Sequence, residues 1–365
     1  MLIDIIAGAR PNFMKIAPII RALNERRANG GQLRYRLVHT GQHYENKMSG
    51  VFFEQLGISV PDINLGVGAG TQATQTAEIM VGYEKLLLHK RSEVCLVVGD
   101  VNSTMACALA AKKLNIPVAH VEAGIRSGDL TMPEEINRVV TDSITDWFFT
   151  TSEYANAQLR LSGVENERIF FVGNTMIDSL LHNLDRIKAP QFAIEQQLIP
   201  DQFLVTTLHR PSNVDNVSTL KTLIDAICEA SDGLPVVFPV HPRTNRTLQQ
   251  VPILPANLLS VDPQPYLEFI WLIKNSKGVI TDSGGISEET TILNTPCLTM
   301  RNSTERPETT ELGTNKLIGT SPDALAPAMC DLLNGKWKVG EAPEKWDGRA
   351  GPRIVGQLEI LLGQR

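Results

Sequence analysis

Three carboxylates in the first half of this 365-residue chain stand where proton-transfer chemistry would need them. Asp100 follows the apolar run Val97-Val98-Gly99. Glu122 lies in His120-Val121-Glu122-Ala123-Gly124, and Glu134 opens a helical pattern in Met132-Pro133-Glu134-Glu135-Ile136-Asn137-Arg138. Singly, each reads as a helix cap or a partner of a helix dipole. On successive strand-end loops of one domain they converge, and positioned carboxyl groups can take up a proton and return one. The second half adds His209, in Thr207-Leu208-His209-Arg210-Pro211, and His241, in Pro239-Val240-His241-Pro242. A histidine at a strand end suits proton carriage or phosphate contact; the plain alternative is a surface ring bonded to a loop carbonyl.

Anion-binding chemistry is signalled most specifically by Thr281-Asp282-Ser283-Gly284-Gly285-Ile286-Ser287-Glu288-Glu289. A strand ends, two glycines let backbone N–H groups come close together, and a helix begins, which is a phosphate cradle of the helix-N-terminus type. Glu289, one turn along, is placed to accept hydrogen bonds from ribose hydroxyls, as carboxylates do in nucleotide sites. Arg306, in Glu305-Arg306-Pro307-Glu308, offers a cation on a later loop. Gly8-Ala9-Arg10-Pro11-Asn12, with Lys15 one turn into the next helix, is a weaker phosphate signal. The first strand carries no GxGxxG, which argues against a nicotinamide dehydrogenase. No zinc spacing, EF-hand loop or GxSxG elbow is present, so neither a metal nor a cofactor is expected.

The elements that must position these residues alternate along almost the whole sequence. Strand-like runs fall at 2–7, 33–39, 94–99, 118–122, 147–150 and 169–172, and again at 203–208, 235–240, 258–261, 278–281 and 296–300. Helical patterns lie between them. Continuous apolar strands separated by helices predict parallel sheets covered on both faces. Two such series predict an α/β chain of two doubly wound, Rossmann-like domains facing a cleft, with ligands beyond the carboxyl ends of the strands. The expected boundary follows Val172-Gly173, which divides the chain into domains of residues 1–172 and 173–351.

Composition narrows the classes. At 42% hydrophobic and 20% charged residues the chain can fold around buried cores, and its length suits two of them. A net charge of −6 excludes a general nucleic-acid binder. No apolar run is long enough to span a bilayer, and the N-terminus lacks the features of a signal peptide. The five cysteines form no CxxC pair and lie in apolar or helical stretches, so buried free thiols in a reducing cytoplasm are expected.

In their order along nearly the whole chain these motifs resemble the non-hydrolysing UDP-N-acetylglucosamine 2-epimerases, a family of glycosyltransferase-B architecture. Gly8-Ala9-Arg10-Pro11, Thr40-Gly41-Gln42-His43, Gly99-Asp100, His120–Gly124, Pro133–Arg138, Val172-Gly173-Asn174-Thr175, His209-Arg210, Pro239–Pro242, Asp282–Gly285 and Thr304–Pro307 carry the resemblance. It implies that Arg10 and Lys15 contact substrate and phosphate, and that Asp100, Glu122 and Glu134 are the catalytic carboxylates. It further implies that His209 is catalytic beside the diphosphate and that Gln264 and Phe269 line a uracil pocket. Ser283, Gly284 and Gly285 would hold the diphosphate, Glu289 the ribose, and Arg306 a further part of the nucleotide. The resemblance also implies that a C-terminal helix at about 352–365 returns to the N-terminal domain, 1–172, which would handle the sugar while 173–351 binds UDP, and that the protein is a homodimer acting in cell-surface polysaccharide synthesis. Two positions depart from relatives: Ser212 stands where many have Glu, and Thr74 where some have an Arg that helps hold a second, activating substrate molecule.

The implied reaction is elimination of UDP to 2-acetamidoglucal and its re-addition with the C2 proton on the other face, which needs no redox cofactor. Alternatives are a 2-epimerase for a related sugar such as UDP-2,3-diacetamido-2,3-dideoxy-glucuronate, or a UDP-sugar glycosyltransferase. The latter would share the 283–289 site but has no use for three carboxylates at strand tips.

Overall fold

The computed structural model describes residues 1–41, 53 and 55–363; Gln42, His43 and the side chain of Arg10 lie outside the described residues. The chain divides into two compact units, one of residues 1–182 and 344–365, the other of residues 183–343.

The described residues of the first unit form one sheet of β1 (Leu2–Ala7), β2 (Arg34–His39), β3 (Ile63–Asn64), β4 (Val94–Val98), β5 (Val118–Val121), β6 (Trp147–Thr150) and β7 (Ile169–Phe171). Their order is β3-β2-β1-β4-β5-β6-β7 and every pairing is parallel. Helices α1 (Arg10–Ala28), α2 (Gln72–His89), α3 (Asn102–Lys113), α4 (Pro133–Ile144), α5 (Glu153–Leu161) and α6 (Thr175–Asn183) connect and follow the strands. In β4 all five residues of Val-Cys-Leu-Val-Val are buried, as helices on both faces of a parallel sheet require. Gly124, at φ +79°, leads the chain out of β5 so close to α5 that a Cβ there would lie 2.4 Å from the Ala155 carbonyl oxygen; only glycine fits.

The second unit builds a parallel sheet of β8 (Leu204–Thr207), β9 (Val236–Pro239), β10 (Leu258–Val261), β11 (Gly278–Thr281), β12 (Cys297–Thr299) and β13 (Asn315–Leu317), in the order β10-β9-β8-β11-β12-β13. Its helices are α7 (Gln191–Glu195), α8 (Pro211–Val214), α9 (Val217–Ala230), α10 (Pro242–Leu248), α11 (Tyr266–Asn275), α12 (Gly284–Leu293), α13 (Pro307–Glu311) and α14 (Leu325–Leu333). The last helix, α15 (Ala350–Gly363), belongs to the first unit and packs on α1. There the Asp178 carboxylate of α6 accepts from the amides of Ala350 at 3.1 Å and Gly351 at 2.8 Å. Trp346 Nε1 donates to the Thr151 carbonyl at 3.0 Å.

Strands β3 and β13 were not foreseen in the sequence. They are edge strands of two and three residues, too short for periodicity. The short helices α8, α10 and α13 were also not foreseen, although each has proline as its first residue, a recognised helix-start signal. Cys330 corrects the expectation of uniformly buried thiols: all five cysteines are free, but Cys330 is exposed on the outer face of α14. No described helix is long and apolar enough to cross a membrane.

Candidate active site

In doubly wound sheets the ligand lies beyond the strand ends where strand order reverses. In the first unit that point lies between β1 and β4, and the Gly8–Ala9 and Gly99–Asp100 turns flank it. Asn12 knits them together. Its side-chain oxygen accepts from the amides of Gly8 and Ala9 at 3.0 and 2.9 Å, and its Nδ2 donates to the Val98 carbonyl at 3.2 Å. Lys15, from the second turn of α1, reaches the Glu122 carboxylate at 2.7 Å. Gly99 lies at φ +68°, and a Cβ there would be 3.1 Å from the Lys15 ammonium and 3.8 Å from Glu122 Oε2, so a glycine keeps this space open.

Asp100 does not cap α3, whose N-cap is Val101. Its carboxylate instead pairs with Arg138 at 2.5 Å, and its carbonyl accepts from Asn137 Nδ2 at 2.8 Å. Arg138 is held in turn by buried Glu135 at 2.8 Å. Burial pushes the Glu135 pKa up, but the amides of Ser127 and Gly128 together with Arg138 outweigh it and hold the group ionised, below the usual range. Glu122 sits just past β5 with a left-handed backbone, φ +66°, and its side chain is buried. Glu134 is exposed in the first turn of α4, one helical turn before Arg138 and so on the same face. Asp100 and the Glu122–Lys15 pair thus stand at adjoining strand tips, with Glu134 exposed on the helix that carries Arg138.

In the second unit the strand order reverses between β8 and β11, which places His209 beside the 282–285 turn. Asp282 organises the junction. Fully buried, it accepts from His209 Nδ1 at 2.7 Å, the His209 amide at 3.0 Å, the Arg210 amide at 2.9 Å and Asn213 Nδ2 at 3.0 Å. Burial alone would raise its pKa; the His209 ring and these N–H donors lower it instead. Nearly half of the His209 side chain remains exposed, so its second ring nitrogen is the one free to meet a ligand. Its ring centroid lies 6.4 Å from that of His241.

Ser283, Gly284 and Gly285 form the N-terminus of α12 and are half-buried, and a Cβ on Gly285 would meet nothing within 4 Å. Unfilled N–H groups at such a terminus favour an anion. The guanidinium of Arg306 stands 3.5 Å from the Cβ position of Gly284 while its Nε bonds Glu288 at 2.5 Å. Beside it, Arg301 clamps Glu305 through two bonds of 2.7 Å, which outweighs burial and takes the Glu305 pKa down to about 2. Glu289 is buried one turn along α12. Burial and the neighbouring Glu288 charge lift its pKa to about 8, against a smaller lowering by Tyr266. Its Oε1 has no hydrogen-bond partner among the described residues, as expected of a group kept for a ligand hydroxyl. Gln264 is half-buried just ahead of α11, its amide donating to the Asp262 carbonyl at 2.7 Å, and Phe269 is half-buried within α11. Among the described residues no cluster of His, Cys, Asp and Glu could hold a metal.

Residues 25–359 match the family model for UDP-N-acetylglucosamine 2-epimerase. The chain belongs to that family. It is 41% identical over 367 residues to the UDP-N-acetylglucosamine 2-epimerase of Methanocaldococcus jannaschii, covering 97% of this chain and 98% of the relative. It is 38% identical to the UDP-2,3-diacetamido-2,3-dideoxy-D-glucuronate 2-epimerase of Pseudomonas aeruginosa, covering 99% and all of the two chains. The crystal structure of the M. jannaschii enzyme in complex with UDP-GlcNAc and UDP superposes with a TM-score of 0.87 at 40% identity, over 99% of this chain and 100% of that one. The fold is thus the α/β, glycosyltransferase-B-like pair of doubly wound units that the epimerase family shares.

Two residues of this family member's site escaped sequence reasoning as functional groups. Asp282 was visible only as part of a glycine-rich turn, and Arg138 only as the end of a helical pattern. The signal that could have found Asp282 is its type: an acid directly after an all-buried strand needs donors, and the neighbouring strand tip supplies them.

Proposed function

We propose that this epimerase interconverts UDP-N-acetylglucosamine and UDP-N-acetylmannosamine by anti-elimination and re-addition of UDP. The observation that carries the reading is the pair of ion-paired carboxylates at adjoining strand tips, Glu122 with Lys15 and Asp100 with Arg138. Two acid/base groups are what inversion at C2 requires. One group, as carboxylate, takes the C2 proton while the C1–O bond breaks and its electron pair leaves on UDP, giving a C1=C2 glycal. A second delivers a proton to the opposite face as the UDP oxygen re-forms the bond at C1. Glu134 is the third member of this set. His209, Arg10 and the 283–285 helix terminus offset charge on the departing diphosphate. Gln264 and Phe269 hold uracil, Glu289 the ribose, and Arg306 the nucleotide beside Glu288.

A second reading, a 2-epimerase for UDP-2,3-diacetamido-2,3-dideoxy-glucuronate, is favoured by the 38% identity over 99% of the chain to the P. aeruginosa enzyme. Proton NMR in deuterium oxide tests both. With UDP-N-acetylglucosamine alone, the C2 proton should be lost as the manno epimer grows in. No exchange with this sugar, but exchange with the diacetamido-glucuronate, would select the second reading, and no exchange with either would refute both. The working form is a homodimer, which sedimentation at micromolar concentration tests. The free cysteines suit the reducing cytoplasm.

A further inference from the structure

His120 is fully buried in the middle of β5, opposite Val97 of β4. A central parallel strand ordinarily carries an aliphatic residue there, and burying an imidazole is costly unless both nitrogens are satisfied. Both are. Nδ1 lies 2.7 Å from Asp142 Oδ1 and Nε2 lies 2.8 Å from the Gly99 carbonyl oxygen. A carbonyl can only accept, so Nε2 is the donor. Asp142, on α4, is fixed in its turn: the Gly124 amide donates to it at 3.1 Å and the Arg126 guanidinium pairs with it at 2.6 Å. Burial would raise the Asp142 pKa, but His120 and Arg126 more than reverse that and lower it.

The Gly99 carbonyl belongs to the same rigid peptide plane as the Asp100 amide. Gly99 has a left-handed φ of +68° and no side chain, so little in the residue itself holds that plane. His120 holds it from below. The following plane is held by Asn137 Nδ2 at the Asp100 carbonyl, and the Asp100 carboxylate by Arg138. Asp100 is therefore fixed at both its peptide planes and at its carboxylate, by three side chains from β5 and α4.

From this we infer that His120 is a positioning residue for the 2-epimerase reaction: with Asp142 behind it, it sets the orientation of the peptide that carries Asp100 without touching substrate. The inference rests on the proposed epimerase activity. A purely structural histidine would affect stability, whereas a positioning one sets the rate at which C2–H is broken, since small displacements of a reacting group cost far more rate than binding.

The test compares His120→Leu with His120→Gln, reading C2–H exchange and epimer formation with UDP-N-acetylglucosamine, the UDP-induced melting shift and the melting temperature. Glutamine carries its amide nitrogen close to the place of Nε2 and keeps the bond to the Gly99 carbonyl; leucine fills the space and donates nothing. His120→Leu should lose at least about tenfold in kcat, with KM and the UDP shift nearly unchanged. His120→Gln should recover to within about threefold of the native rate, whatever its melting temperature. Native kcat in His120→Leu, or equal slowing in both variants, overturns the inference. If His120→Leu does not fold, Asp142→Asn replaces it, with slowed kcat expected and native kcat overturning the inference. Failure of the underlying reading looks different, because the native enzyme itself would then leave C2–H unexchanged.

Discussion

Asparagine in place of Asp282 should invert the tautomer of His209. The two carboxylate oxygens are unequally loaded. Oδ1 meets His209 Nδ1 at 2.7 Å and shares the His209 amide at 3.1 Å, whereas Oδ2 receives the His209 and Arg210 amides and Asn213 Nδ2 at 2.9–3.0 Å. Three donors converging on Oδ2 keep the one oxygen of asparagine at that place, so its NH2 faces Nδ1. Two donors cannot meet, and the ring hydrogen must move to the exposed Nε2. What is lost is one hydrogen bond to an ionised group, about 1.5–3 kcal/mol. At 1.4 kcal/mol per tenfold this predicts a loss of roughly 10- to 150-fold in kcat/KM. The fold should survive, because the Oδ2 bonds do. Asp282→Ala removes all of them and should also lower the melting temperature. Initial rates of epimer formation by proton NMR, with UDP affinity by calorimetry, give the answer. Native kcat/KM in Asp282→Asn, alongside a slow His209→Ala, would show that the carboxylate merely holds the loop and refute the reasoning.

Asp100→Asn, Glu122→Gln and Glu134→Gln should each reduce turnover at least about 10²-fold with UDP affinity little changed, and some should release 2-acetamidoglucal; near-native turnover in all three would sink the acid/base assignment. Gly285→Val projects into open space at the start of α12, so the ligand-free melting temperature should hold while the UDP-induced shift disappears; a retained shift removes this turn from the nucleotide site. Thr74 is exposed and pairs with Thr71 at the start of α2, so the reverse reaction should begin without added UDP-N-acetylglucosamine; a lag abolished by traces of it would contradict this. Glu289 has its folded pKa raised from 4.5 to about 8 by burial and Glu288, so its contribution to stability is present below about pH 4.5 and lost as pH rises through 8. Glu289→Gln should therefore raise the melting temperature of the ligand-free protein more at pH 8 than at pH 5, and an equal change at both would argue against the shift.

Much of this architecture can be read from local signals. The buried run 94–98, the glycine after it and the polar helix start at 102 mark a strand, a turn and a helix without reference to anything distant. The double glycine at 284–285 marks the helix terminus in the same way. What stays hidden is adjacency. Asp282 and His209 are 73 positions apart, and only the order β8-β11 makes their strand tips neighbours. Likewise the link from Arg138 to Asp100 depends on α4 packing beside β5. Sequence patterns locate strand ends; which ends touch is decided by topology, so the positions of Asp100, Glu122 and His209 at strand ends were legible while the groups that bond to them were not.

The placement of α15 sets the order in which the chain can finish folding as it leaves the ribosome. Residues 183–343 form the second unit from one continuous stretch, whereas the first unit is closed only by residues 344–365. Until these emerge, α1 lacks the helix it packs on, which buries Ile354, Val355 and Leu358 and whose Gly351 approaches so closely that a Cβ would lie 2.6 Å from the Pro18 carbonyl oxygen. Asp178 meanwhile lacks its two amide donors. The unit translated second can therefore complete first, whereas the one begun first is complete only with residues 344–365. Deleting that helix would leave the second unit whole and place the entire burden on the first.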